Sequence, residues 1–317
     1  MRWFAAILAL AVLAPASAQY PTKPIRLVVP FAPGGSSSIV ARVVAAEMSK
    51  ELGQQIIIDN KPGGGGNVAM LEVARADPDG YTLIIGHIGT LAVNPYMFAK
   101  LPFDVDKDFV PVSLLAKVPN IFVVNASVPA KDLKEFVALA RAKPGQLNYG
   151  SAGNGSAGHL AFEYLKLVAN IDVAHVPYKG TGPQLTDLLG GRTEASSAGT
   201  PPLLPHVKSG KLHAIAVGSP QRIHSLPDVA TVAEQGYPGF ETTQWYGLMA
   251  PAKTPEAIVT RLAAEAAKAA KTPAVAERFA ADDAIAVGST SAEFAAFIKQ
   301  EQARWSEVVR KAGIKAD

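Results

Sequence analysis

Apolar residues recur along the chain with two alternating periods. Ile25–Val29 (IRLVV) is a short apolar run closed by Pro30, the pattern of a buried strand. Ser36–Leu52 then places Val40, Val43, Val44, Met48 and Leu52 on one helical face. Residues 55–58 (QIII) are β-branched and predict a second strand, and the loop 61–66 (KPGGGG) interrupts the chain. A helix over 66–75 and a third strand over 81–85 follow. The same reading predicts strands at 121–124, 147–150, 173–176 and 213–217, and helices at 131–142, 156–168 and 182–189. Thr254 is the expected N-cap of a later helix, with Pro255 in its first turn. Residues 292–312 carry Phe294, Phe297, Ile298, Trp305, Val308 and Val309 on one face. Strand–helix alternation predicts an α/β protein with mostly parallel sheets. No heptad, solenoid repeat or low-complexity tract interrupts it.

The alternation falls into two series. Residues 23–119 hold the first and residues 120–240 the second. A strand-like stretch at 242–249 and the helices after it, within 241–317, are expected to return to the first lobe and complete it. The chain would then cross twice between lobes, leaving a cleft between them.

The first residues set the compartment. Arg2 precedes an apolar run from Trp3 to Leu13, Pro15 breaks it, and Ala16-Ser17-Ala18 follows. This is the charged, apolar and small-residue sequence of a secretory signal, with cleavage expected after Ala18. The run is about half the length needed to span a bilayer. A soluble periplasmic protein is the expectation. Apolar residues make up 49% of the chain and charged residues 18%, so a large core can form. Removing the leader takes Arg2 with it and leaves an excess of two basic residues, too weak to indicate nucleic acid. With no Cys, disulfides, thiol nucleophiles and thiolate metal sites are excluded.

Two glycine-rich turns open two helices. The first runs from Pro33 through Gly34, Gly35, Ser36 and Ser37 to Ser38. The second runs from Gly150 through Ser151, Ala152, Gly153, Asn154 and Gly155 to Ser156. Each sets small residues and backbone N–H groups at a helix N-terminus, where unpaired donors and the helix dipole favour an anion. In α/β sheets such turns lie at the carboxyl ends of strands, where ligands sit. A bland reading, two merely capped turns, stands beside this one.

Other chemistry is weakly supported. GNGSAG at 153–158 fits G-x-G-x-x-G, but the next acidic residue, Asp172, falls short of the usual spacing, and an exported protein meets little nicotinamide cofactor. The six His residues form no H-x-H or H-E-x-x-H pair. No nucleophile elbow occurs, and a hydrolase would have to use Ser151 or Ser156 with His159 or His87. His159 reads as structural. His87, after the third strand, either faces the cleft or packs, and Trp245 and Tyr246 either line a pocket or pack.

The segments FAPGGSSSIVAR, IIIDNKPGGGGNVA, ADPDGYTLIIG, GQLNYGSAGNGSAGHLAFE, HVPYKGTGPQLTDLLGG, LPHVKSGKLHAIAV and WYGLMAPAKTPEAIVTRL together resemble the Bug family. These are extracytoplasmic solute receptors of tripartite tricarboxylate transporters, and the resemblance runs from about Tyr20 to Ile314. It implies a two-lobed periplasmic-binding-protein fold (type II-like), with crossover strands as hinge and a central cleft closing on a small ligand. It implies as ligand a di- or tricarboxylate, an aromatic carboxylate, an acidic amino acid or a related small organic acid, held by loop donors and ordered waters, with no cofactor, metal or catalytic residue. The implied partners are the large and small membrane subunits of the transporter or a sensor histidine kinase, and the implied state is a monomer. Carried over by position, first-lobe contacts come from Phe31, Pro33, Gly34, Gly35, Ser36 and Ser37, with His87 and Thr90 nearby. Second-lobe contacts come from Ser151, Ala152, Gly153, Asn154, Gly155 and Ser156, and from Tyr178, Gly180 and Thr181 in the VPYKG-type turn. Gly199 and Thr200 complete the set. The chain departs from the family at Ser38 and Ala198, where the family often has Asp. Losing both acids disfavours amino-acid ligands.

Overall fold

The computed structural model describes residues 20–316. The predicted leader and its cleavage point lie outside the described residues. β1 (Ile25–Val29), α1 (Ser36–Leu52), β2 (Ile56–Asn60), α2 (Asn67–Ala74) and β3 (Thr82–His87) come first. A π turn, Gly89–Val93, leads into the short helices α3 (Asn94–Met97) and α4 (Val105–Asp108). The long strand β4 (Phe109–Asn125) precedes α5 (Leu133–Ala142), β5 (Asn148–Ser151), α6 (Ala157–Ala169) and β6 (Ala174–Pro177). Then come α7 (Thr181–Leu189), β7 (Ala195–Gly199), α8 (Thr200–Lys208) and β8 (Leu212–Val217). β9 (Thr243–Pro251), α9 (Glu256–Ala269), α10 (Pro273–Ala280), β10 (Ile285–Ala286) and α11 (Ser291–Ala312) end the chain.

The strands join in the order β2-β1-β3-β9-β4-β7-β5-β6, with β8 and β10 also pairing with β4. The outer strands run parallel, as the alternation predicts, but every pairing of β9 and β4 is antiparallel. The sheet is therefore mixed rather than mostly parallel, because the two crossing strands run against their neighbours. β4 pairs with β9 up to Pro119 and with β7 and β8 from Asn120 onward. One strand thus serves both lobes, and a second chain segment returns at Thr243.

Helices cover both faces of each half. One face of the first sheet buries Val40, Val44 and Met48 of α1 against Leu262 and Ala266 of α9. The other face packs α2, the π turn and α11. In the second half, Phe122, Tyr149 and Phe162 centre one core and Ile121, Leu188 and Leu203 the other. Leu160 of α6 joins the first half's core beside Trp305, so the halves share apolar packing.

The C-terminal helix starts on a capping box. Thr290 Oγ1 accepts from the Glu293 N–H at 3.2 Å, and the Glu293 carboxylate accepts from the Thr290 N–H at 2.9 Å. Thr254 is not the cap predicted for α9. Its hydroxyl turns back to the Pro251 carbonyl at 2.8 Å, and Pro255 takes the cap position. Glu301 of α11, 6% exposed, accepts from the indole N–H of Trp245 at 2.8 Å and of Trp305 at 3.3 Å. Glu301→Ala is expected to leave two buried donors unpaired and to destabilise by about 3 kcal/mol. Glu301→Gln, which keeps an acceptor, should cost less than half of that. Urea denaturation followed by tryptophan emission measures both, and equal stability of all three proteins would contradict the assignment.

Candidate functional site

Four helices aim their N-termini at one place. The cavity between the lobes is lined by Ser36 and Ser37 from the first turn of α1, Ala157 and Gly158 from α6, Thr181 from α7, and Gly199 just before α8. The N-caps of α1, α7 and α8 are Gly35, Gly180 and Gly199, and none has a side-chain cap. Only α6 is capped, by Ser156 Oγ accepting from the His159 N–H at 3.3 Å. Among the described residues, no Asp, Glu, Lys or Arg lines the cavity. Aligned N–H groups and helix dipoles supply its positive potential, which suits an anion without a charged side chain.

Glycine lets the lobes come this close. A Cβ on Gly182 would sit 2.6 Å from the Pro33 carbonyl oxygen, and one on Gly180 would sit 2.8 Å from the Ala32 nitrogen. Ala32 N–H donates to Lys179 C=O across the lobes at 3.1 Å. The enclosed cavity measures about 30 Å³. That is room for a water or two, far below the size of a ligand pocket. A ligand of several carbons enters only when the lobes part.

Of the residues expected from sequence, Phe31, Ser36, Ser37, His87, Ala152, Ser156, Thr181 and Gly199 meet around this cavity. The others lie outside its lining. Pro33, Gly34 and Gly35 form a lip against Gly182 and Thr181, and Gly180 presses on Ala32. Gly153, with φ +119°, approaches the Tyr178 carbonyl, while Asn154 and Gly155 touch Gly65, Gly89 and Asn94 of the first lobe. Ser151 Oγ pairs with His175 Nε2 at 2.7 Å, and Tyr178 OH donates to Asp187 at 2.8 Å. Thr90 Oγ1 accepts from the His87 N–H at 3.1 Å, and Thr200 Oγ1 donates to the Asp282 carbonyl. Among the two departures, Ala198 lines the cavity, but Ser38 accepts from Asn60 Nδ2 at 2.8 Å within its own lobe.

Sequence reasoning did not place Ala157, Gly158, Ser197 or Gln244 in the site. Gln244 and Tyr246 share one face of β9, so Tyr246 lines the cavity while Trp245 points the other way, 6.0 Å edge-on to Phe294. The G-x-G-x-x-G pattern also finds its cause here. Gly153 and Gly155 take positive φ in the turn, and Gly158 packs without a Cβ on the Ser197 carbonyl. The glycines of a dinucleotide turn solve the same problem of close helix–strand approach.

Two histidines support the site as neutral rings. His87 is stacked on Phe31 at 4.7 Å, and burial pushes its imidazole down to about 3. His159 is pushed down to about 4, by burial first and then by Lys166. Its Nδ1 accepts from the Gly155 N–H at 3.2 Å and so braces the second glycine-rich turn.

A cleft between two α/β lobes, ringed by helix N-termini, is the geometry of a solute receptor. The family model for the tripartite tricarboxylate transporter family receptor matches residues 40–314. The chain belongs to this family. BugT of Bordetella pertussis is 38% identical over 306 residues, which covers 96% of this chain and 94% of BugT. This Bug-family receptor also resembles solved structures closely. An R. palustris protein solved with adipate is 36% identical, with a TM-score of 0.91 over 93% of this chain and 99% of that one. MatC from Rhodopseudomonas palustris, solved with bound malate, is 37% identical, with a TM-score of 0.88 over 92% of this chain and 100% of MatC. Its structural neighbours are periplasmic binding proteins.

Proposed function

We propose that this receptor captures a small organic carboxylate between its lobes, without chemical change, and presents the closed form to the large and small membrane subunits of a tripartite tricarboxylate transporter. The convergence of four helix N-termini on a cavity free of charged side chains carries this reading. Residues 23–119 and 241–317 form one lobe and 120–240 the other, a division supported by the partner exchange of β4 at Pro119 and Asn120. Export with cleavage after Ala18 brings the protein to the periplasm. One chain holds the whole cavity, which supports action as a monomer.

The histidine and serine contacts favour binding over hydrolysis. Ser156 Oγ is occupied as a helix cap, His159 Nδ1 holds a backbone N–H, and Ser151 pairs with His175 away from the cavity. Ser151, Ser156 and His159 are thus committed to the scaffold, and the Nδ1 of His87, the remaining candidate, already accepts from the Gly89 N–H.

A thermal-shift screen with adipate, malate, citrate, benzoate and glutamate tests the proposal. At least one acid lacking an amino group should raise the melting temperature. By mass action, ligand at 100 times its Kd stabilises by about 2.7 kcal/mol. A response to glutamate alone would reverse the argument from Ser38 and Ala198, and no response to any acid would refute carboxylate capture.

A further inference from the structure

His87 ends β3 and is 3% exposed. Its Nδ1 accepts from the Gly89 N–H at 2.6 Å and from the Thr90 N–H at 3.3 Å. A ring nitrogen that accepts carries no proton, so the neutral ring must carry its proton on Nε2. That Nε2 is buried and has no protein partner, and its ring lines the cavity. Facing the same cavity from the second lobe is Ser197, 1% exposed, whose Oγ is also unpartnered. Neighbouring polar groups are already used. Tyr246 OH donates to Gln244 Oε1, and Gln244 Nε2 donates to Asn120 Oδ1 at 2.6 Å. Buried polar groups are nearly always paired, and of the buried side-chain atoms left without a partner among the described residues these two, one from each lobe, line the cavity where a ligand would complete the set.

We propose that His87, as a neutral Nε2–H donor, and Ser197 from the opposite lobe are the side chains that read the ligand, selecting a group that presents only acceptor oxygens. This rests on the carboxylate reading and sharpens it. The backbone N–H groups of the helix termini attract an anion without choosing among anions, whereas a fixed single donor chooses. A carboxylate or an oxo group satisfies it, and an ammonium or amide N–H meets it donor to donor. Among the described residues no carboxylate or ammonium side chain lines the cavity, and the titratable Tyr246 that does line it has its ring 6.4 Å from His87 and its hydroxyl bound to Gln244. A second proton on Nδ1 would face the Gly89 N–H in a buried site with no carboxylate to balance the charge, so the ring keeps its neutral donor form across the neutral range.

Two substitutions separate the roles of the two ring nitrogens. His87→Asn keeps an acceptor for the Gly89 N–H and loses the cavity donor. His87→Gln keeps a donor near Nε2 and loses the acceptor. Calorimetry with adipate, malate, citrate and benzoate should show at least about a 10-fold weaker Kd for H87N, with H87Q closer to wild type. Ser197→Ala should weaken binding in the same direction. If H87N binds as tightly as wild type, His87 only locks its turn and the inference fails while carboxylate capture stands. If none of the four acids binds the wild type, both readings fail. Long-range nitrogen–proton NMR of ligand-free wild type, which needs no variant to fold, should show the His87 proton on Nε2 at neutral pH. A proton on Nδ1 would overturn the inference by itself.

Discussion

Replacing Gly182 with leucine is expected to leave the receptor folded but unable to close. Gly182 is the second residue of α7 and lies outside the left-handed region, but it precedes Pro183, whose ring crowds a Cβ on the helical residue before it, so leucine adds some local strain in the open and closed forms alike. Apart from its chain neighbours and its own helix backbone, an added Cβ meets within 4 Å only the Pro33 carbonyl of the facing lobe, its oxygen at 2.6 Å. That distance is shorter than any real Cβ contact, and the obstacle is backbone, which cannot swing aside as a side chain does. Beyond Cβ, the rest of leucine would have to enter the lip where Gly34 already lies against Gly182. The open form tolerates it; the closed form does not. Second-lobe contacts to the ligand, together with the Ala32–Lys179 hydrogen bond, would be lost. Losing half of the contact shell should weaken binding by about 100-fold or more, or about 3 kcal/mol. The ligand-free melting temperature should fall only modestly, because the added strain is confined to one residue before Pro183. Calorimetry with the best acid of the screen checks affinity, and small-angle scattering checks that the radius of gyration no longer contracts on binding. Wild-type affinity in a folded Gly182→Leu protein would show that the lobes do not close over the ligand as described.

The same glycine shows what a sequence can and cannot disclose. β1 and α1 have the predicted bounds because period and punctuation agree there, with Pro30 after the strand and Gly53, in left-handed conformation, after the helix. β4 was visible only from residue 121, although it starts at Phe109. Pro111 and Pro119 punctuate its first part, and register shifts after Pro111 and Leu114 absorb the irregularity. β7 reads Ala-Ser-Ser-Ala-Gly and is buried throughout, so it lacks the apolar contrast that marks a strand. Pro201, Pro202 and Pro205 then disguise α8, although proline in the first turn with Gly199 before it was the available signal. Those two hidden elements bring Ser197, Ala198 and Gly199 to the cavity. The glycine-rich turns were legible because composition alone defines them. Which of their residues face the ligand depends on how two lobes meet, and that is a long-range property. Gly182, Gly34 and Gly180 read locally as helix-start glycines, yet the facing chain dictates them.

Lowering the pH from 7 to 5 is expected to destabilise the fold through His87 and His159. In the unfolded chain both imidazoles titrate near about 6.5. In the fold, burial holds them neutral, His87 down to about 3 and His159 down to about 4. Between those limits the unfolded state binds protons that the native state refuses. Stability therefore rises with pH across this window and falls as acid is added. Each histidine in the plateau contributes about 1.4 kcal/mol per pH unit, so by pH 5 the pair removes about 4 kcal/mol. The loss should continue to about pH 4, where His159 begins to protonate in the fold, and end near pH 3 for His87. Asp282 acts in the opposite sense, since burial raises its carboxyl and the native state takes up its proton first. His159→Asn, which keeps an acceptor for the Gly155 N–H, should lose stability against wild type at pH 7 yet show about half the acid slope. Urea midpoints at several pH values measure both slopes. A wild-type midpoint that is flat from pH 7 to 5 would mean that one or both rings charge in place, and the donor assignment of His87 Nε2 would survive only with a second proton on Nδ1, where the Gly89 N–H leaves no room for it.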